Sequence, residues 1–285
     1  MNRAITREDT MASTPPTANL AQRIARMAVP PDHIVAWWLG GSGFIFKTPA
    51  GTQVYIDPYL SNSAEAIFGA GNKRAFPPPI SADDVRANAV ISTHWHEDHL
   101  DPGAIPIIAR HSPTTRFIMP PSATGHALSW GVPRDRVVAL TVGQSLQVED
   151  VTIRAVPARH EAGIPGWEVP DALGIVLEAA GLKIYHTGDT DYDVRLRLLK
   201  RQRFDAVIAC INGVTGNMNA HEAALLAWQL EATTVIPMHH LLWAGNAGGP
   251  EATLDPALFE ETYRKLGGTG RVVLPEVGEA IEFTR

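Results

Sequence analysis

"STHWHEDHLDPG", residues Ser92 to Gly103, follows the apolar run "ANAVI" and sets His94, His96, Asp98 and His99 in the spacing H-x-H-x-D-H. At a strand end, residues i and i+2 point the same way, so His94 and His96 can reach one ion. Asp98 and His99 come where the chain leaves the strand and can turn toward a neighbouring point. Imidazole and carboxylate donors without thiolate suit Zn, Mn or Fe. A merely solvated loop has no need of this set of ligand types at this spacing.

Working outward, short apolar runs divided by Gly and Pro begin near His33. "HIVAWWL", "GFIFKT" and "QVYID" read as strands with "GGSG" and "PAG" as turns. Residues 61–87 contain Pro77 to Pro79 and read as one long loop of the kind that forms lids. "RFIMP", "RVVAL", "QSLQV" and "VTIRAVPA" read as strands, with helices over "DPGAIPIIARH" and "PSATGHALSWG". "ALGIVLEAAGLKIYHTGD" reads as a hairpin turned at Ala180–Gly181. "DVRLRLLKRQ", "NAHEAALLAWQLE" and "DPALFEETYRKLG" read as helices, "FDAVIACIN" and "TTVIPMHH" as strands, and "RVVLPEVGEAIEF" has strand texture. Strands come in a run, then alternate with helices, and the pattern occurs twice. This predicts an α/β protein of two βα halves, packed sheet on sheet with helices outside. Residues 1–30 are expected to be a flexible lead with a short helix near Ala21–Met27, and 31–285 a single domain.

Four further candidates each end a predicted strand: Asp57 after "VYI", His160 after "VPAR", Asp189 in "IYHTGDTD" and His239 in "VIPMHH". Strand ends gathered on one rim assemble a site from distant sequence.

Composition narrows the function classes. The net charge of −6 and the lack of a Lys/Arg run argue against nucleic-acid binding. One cysteine, Cys210 in the apolar "FDAVIACI", excludes an internal disulfide and a Cys-rich zinc module. No apolar stretch approaches the roughly 18 residues of a membrane span, and the N-terminus lacks a signal-peptide core. A soluble, cytoplasmic protein acting on a small molecule is expected, with homo-oligomerisation left open.

In these motifs the chain resembles the metallo-β-lactamase superfamily, whose fold is an αββα sandwich. "DPYL", "SWGVPRDRV", "IYHTGDTDY" and "VIPMHHLLW" resemble its L-ascorbate-6-phosphate lactonase-like branch, to which N-acyl-phosphatidylethanolamine phospholipase D is related. The resemblance implies two divalent ions, Zn or Mn first and Fe third. It implies His94, His96 and His160 around one ion, Asp98, His99 and His239 around the other, and Asp189 between them. A bridging hydroxide would attack an ester-type carbonyl or phosphorus, and Asp98 would orient it and take up its proton. The expected activity is hydrolysis of a lactone or related ester, phosphorylated or not. A phosphodiesterase or phospholipase D-like enzyme is the alternative, and a non-hydrolytic metal or redox protein on the same fold is the rival of another class.

Among neighbours of the ligands, Asp57 is expected to orient a ligand histidine through its ring N–H. His240 is a candidate proton donor and His221 a candidate support or helix cap. Lys73 and Arg74 in the long loop are candidate contacts to an anionic substrate. Trp167 and Trp243 are candidate pocket walls, and Trp95 should point away into packing.

Overall fold

His33–Gly40 form strand β1, and their alternation explains the layering. Ile34, Ala36 and Trp38 enter one buried cluster, while Val35, Trp37 and Leu39 enter another. Successive strand side chains face opposite ways, so a strand apolar at every position must be covered on both sides. The structure is a computed structural model describing residues 19–160, 165–214, 216–245 and 253–285.

Helix α1 (Leu20–Arg26) precedes β1, and helix α2 (Ser63–Phe68) follows β2 (Gly43–Lys47) and β3 (Gln53–Ile56). β4 (Ala89–Ile91), helix α3 (Ile105–His111), β5 (Arg116–Met119), helix α4 (Pro121–Ser129) and β6 (Val137–Ala139) complete the first half. β7 (Ser145–Val148), β8 (Val151–Pro157), β9 (Leu173–Ala179), β10 (Leu182–His186) and β11 (Ala206–Cys210) begin the second. Helix α5 (Ala220–Leu230), β12 (Thr234–Met238), helix α6 (Pro256–Lys265), β13 (Arg271–Val272) and β14 (Ala280–Thr284) end the chain.

The strands form two seven-stranded sheets, β14-β1-β2-β3-β4-β5-β6 and β13-β12-β11-β10-β9-β8-β7. In the first, the pairs from β14 to β3 are antiparallel and those from β3 to β6 parallel. The second runs antiparallel from β7 to β10 and parallel from β10 to β13. One apolar cluster joins the facing sheets, with Phe44 and Ile91 from the first and Ile153 and Ile184 from the second. α3 and α4 pack Ile105, Ile108, Ala123 and Ala127 onto the outer face of the first sheet. α5 and α6 cover the second with Ala224, Leu226 and Phe259. Helices therefore lie outside two packed sheets, an αββα sandwich.

Three details depart from the sequence expectation. The run of residues 61–87 contains α2, preceded by Asn62 and closed by Gly69. Residues Val194–Gln202 are helical, but as a 3₁₀ helix. The last strand-like stretch divides into β13 and β14, and β14 crosses back to pair with β1 in the first sheet. Residues 1–18 of the expected lead lie outside the described residues. α1 is capped by Asn19, and the buried Lys47 ammonium donates to the carbonyls of Ile24, Ala25 and Met27 at 2.7, 3.2 and 2.8 Å. The hairpin turns at Ala180 (φ +51°) and Gly181 (φ +75°), the left-handed pair that joins twisted strands.

Candidate metal centre and pocket

β3 and β4 run parallel, so their C-terminal ends share an edge and bring Asp57 beside the His94–His99 segment. In the second sheet β8, β10 and β12 point one way, since β9 is antiparallel to both β8 and β10. His160, Asp189 and His239 follow those three strands. The β1–β2 turn locks His239 in place: its backbone N–H donates to the Gly41 carbonyl at 2.9 Å. Glycine is required in that turn, because a Cβ on Gly40 (φ +89°) would lie 2.3 Å from the Phe76 ring.

The structure brings the seven candidate ligands together in three overlapping groups, each with ligand atoms within 4.8 Å of one another: His94, His96 and His160; His94, His99 and Asp189; Asp98, His99 and His239. Asp189 thus stands with one histidine from each outer group. All but Asp98 are buried.

Hydrogen bonds assign the imidazole protons. His99 Nδ1 is 2.8 Å from Asp57 Oδ2, and an acceptor there fixes the proton on Nδ1. Thr93 Oγ1 donates to the same carboxylate at 2.8 Å, leaving its lone pairs for the His94 Nδ1–H at 3.2 Å. His96 Nε2–H faces the Trp167 carbonyl at 3.2 Å, and His160 Nδ1–H the Gly216 carbonyl at 3.1 Å. At His94, His96 and His160 the outward nitrogen donates to an oxygen, so the inward nitrogen presents a lone pair. His99 Nε2 points inward among carboxylates, and against the effect of burial Asp189, Asp57 and Asp98 raise its pKa, so without an ion it carries a proton that a metal would displace.

Those inward atoms crowd together. His96 Nδ1 lies 3.0 Å from His94 Nε2 and 3.2 Å from His160 Nε2. His99 Nε2 is buried without a hydrogen-bond partner. Converging lone pairs in a dry site repel unless a cation sits among them, so this donor set fits divalent ions.

The carboxylates fit the same picture. Asp189 accepts from Ser42 Oγ at 3.2 Å and Asn217 Nδ2 at 2.7 Å. Its Oδ2 lies 3.4 Å from His99 Nε2 and 3.3 Å from His239 Nε2. Asp98 Oδ2 lies 3.5 Å from His239 Nε2. Burial alone would raise both carboxyl pKa values, but His239 and His99 hold Asp189 well below its ordinary value, and His99 with His239 bring Asp98 to about 2. Burial and its histidine neighbours push His94 well down, and burial brings His96 to about 4. Both carboxylates are therefore charged, and these two histidines neutral, at neutral pH, the forms that bind metal.

Two of the six left-handed non-glycine residues among the described residues lie here, Asp57 (φ +48°) and His239 (φ +64°). Asp57 compensates with three contacts, since its Oδ1 also accepts the Thr93 N–H at 2.7 Å.

The remaining candidates divide. His240, Trp167 and Trp243 line a pocket above the centre. His240 stacks on Trp38 at 4.8 Å, with its Nδ1 buried and unpartnered. Trp95 turns away and stacks on His126 at 5.6 Å. His221 faces outward, its Nδ1 2.7 Å from Thr262 Oγ1, joining α5 to α6 instead of supporting a ligand. Arg74 does not face the pocket. It is buried between the Tyr59 and Phe76 rings and donates to the carbonyls of Tyr59 at 2.7 Å and Phe76 at 3.1 Å, so its charge ties down the loop. Lys73 is exposed and is not part of the lining.

Sequence reasoning missed Thr93, Ser42 and Asn217, which orient ligands, and Phe68 and Asn212 in the pocket wall. Thr93 lay within the quoted motif, and the Asn62…Gly69 punctuation marked α2.

Fold and site together define an αββα protein with a His/Asp centre suited to divalent ions. Residues 37–239 match the family described as "Beta-lactamase superfamily domain", and the chain belongs to that family. That membership places it with the metallo-β-lactamase superfamily hydrolases. The chain is 26% identical over 289 residues to a probable L-ascorbate-6-phosphate lactonase of Shigella boydii, covering 87% of this chain and 82% of the relative. An isothiocyanate hydrolase from Delia radicum gut bacteria has a similar structure, with a TM-score of 0.69 at 19% identity over 88% of this chain and 100% of that one. CmlA, a diiron β-hydroxylase from Streptomyces venezuelae, is similar with a TM-score of 0.67 at 15% identity, over 90% of this chain and 55% of that one. Among the described residues, no helix is long and apolar enough to cross a membrane.

Proposed function

We propose that the protein is a dinuclear metal-dependent hydrolase that opens a lactone or a related ester of a small molecule. The observation that carries this reading is the convergence of the His94, His96 and His160 inward lone pairs, each set by an outward N–H···O bond, beside the buried Asp189 carboxylate. His94, His96 and His160 would hold one ion and Asp98, His99 and His239 the other, with Asp189 shared. The nitrogen and oxygen donors suit Zn or Mn first and admit Fe. Ions bound there lower the pKa of water from 15.7 toward about 7 and offset negative charge on the substrate oxygen.

The chain's own residues do the rest. Asp98 faces the pocket, and its carboxylate, charged at neutral pH, accepts a hydrogen bond from the attacking water and so orients it. Ser42 and Asn217 hold Asp189 in one orientation. His240 faces the same pocket, but burial and the adjacent His239 bring its pKa to about 4. At neutral pH it is an uncharged imidazole, so its part is a hydrogen bond to substrate and not delivery of a stored proton.

Metal analysis of the purified protein, joined to hydrolysis of sugar lactones, acyl-homoserine lactones and bis-p-nitrophenyl phosphate, tests the reading. About two ions per chain with lactone turnover are expected. Turnover of the phosphodiester alone would replace it with the phosphodiesterase reading. Iron with no hydrolysis would replace it with a redox protein.

A further inference from the structure

The pocket above the centre has a chemical character of its own. Phe68 of α2 meets Trp167 edge-on at 5.1 Å, and Trp167 lies 4.8 Å from the His96 ring, so an aromatic wall rises directly from a candidate ligand. The opposite side carries Leu242 and Trp243, the latter braced edge-on by Tyr59 at 5.6 Å.

Charge is distributed just as unevenly. Among the described residues, none of those lining the pocket is Lys or Arg, while Glu97 lines it. Arg74, near in sequence, is not among the lining residues: its Nε and Nη1 donate to the Phe76 and Tyr59 carbonyls, and its Nη2 is buried without a partner among the described residues. The stretches 161–164, 215 and 246–252, outside the described residues, contain no Lys or Arg in sequence. A phosphate remote from the scissile bond carries nearly two negative charges and calls for cationic or multiple N–H donors. Here, above the candidate ligands, it would meet aromatic carbon, the Glu97 carboxylate and the neutral amides of Asn72 and Asn212, with no cationic side chain among the described lining residues. The positive charge of the metal centre lies at the floor, where the reacting carbonyl must sit. Among the lining residues is Asn212, whose side-chain oxygen is buried and has no hydrogen-bond partner among the described residues. That atom accepts a hydrogen bond from a neutral O–H or N–H.

We infer that this pocket takes an uncharged ester or lactone bearing a flat apolar group, held against Trp167, and rejects one carrying a phosphate away from the scissile bond. The inference rests on the hydrolase reading above. In the reaction, the oxygen of water bonds to the carbonyl carbon and the carbonyl carbon–alkoxy oxygen bond breaks. The alkoxide takes a proton, giving an acid and an alcohol, with no other reactant.

The test compares dihydrocoumarin, an uncharged aryl lactone, with glucono-lactone and its 6-phosphate on the metal-loaded protein. Dihydrocoumarin should be preferred over the phosphorylated lactone by about 100-fold in kcat/KM, the scale on which a pocket discriminates by apolar fit. Trp167→Ala should keep its metal, because the hydrogen bond that orients His96 is accepted by the Trp167 backbone carbonyl and survives loss of the ring, yet raise KM for dihydrocoumarin about tenfold with a smaller change in kcat. Trp167→Phe should recover most of that loss. A preference for the phosphorylated lactone, or a KM indifferent to Trp167→Ala, overturns the inference and leaves the hydrolase reading standing. Two bound ions with no turnover of any lactone overturns both.

Discussion

At the floor of the pocket, His94, His96, His99, His160, Asp189 and His239 are all less than a tenth exposed, and partners orient most of them. In the wall above, Phe68 is 39% exposed. The floor comes from strand ends, where two packed sheets fix positions to a fraction of an ångström. The walls come from α2 and from the segments after His160 and His239. Metal coordination tolerates little displacement, whereas an apolar wall has only to fit a shape and keep water out. One region is set by geometry, the other by bulk.

The sharpest way to break the contrast is to delete a floor residue. His96→Ala and Asp189→Ala should each lose bound metal and cut hydrolysis by roughly a thousandfold, the several kcal/mol that a Lewis-acid centre supplies. Metal content and turnover measured on the same sample check this. A step back from the ions, Asp57→Asn should weaken metal binding about 10–100-fold, read by competition with a chelator, because His99 loses its carboxylate anchor.

Acidity probes the same burial. The unfolded chain takes up protons at His96 and His240 near pH 6.5, while burial holds both near 4 in the folded metal-free protein. The stability tied to their neutral forms is present above about pH 6.5 and is lost as pH falls toward 4. The Tm of chelator-treated protein should fall through that window, and less steeply in His240→Gln. The smallest effect belongs outside the contrast: His221→Ala should retain all its metal and shift denaturant stability by no more than about 0.5 kcal/mol, as an outward-facing change does.

The same contrast governs what the sequence made legible. His94 to His99 could be read because a strand end imposes a short repeat on residues that must meet one ion. His160, Asp189 and His239 could be read because each closes an apolar run, and β8, β10 and β12 carry them to one edge. Thr93 was not legible, since its hydroxyl matters only through two partners, Asp57 and His94, that come together after folding. Arg74 departs from its expected substrate contact for a related reason: a loop arginine reads as free to meet an anion until Tyr59 and Phe76 close around it. The split between β13 and β14 had a signal in Pro275 and Gly278, but only pairing with β1 assigns β14 to the first sheet.

Asp57 and His239 hold their backbones at φ +48° and +64°, a conformation costing an L-residue about 1–2 kcal/mol that glycine adopts freely. The two are not alike under selection for heat tolerance. Glycine at Asp57 would relieve the backbone but orphan the buried Thr93 and His99 donors, at a cost of about 1–3 kcal/mol each. At His239 the relief would come with the loss of a candidate ligand, so there a hardier chain would be a disarmed one.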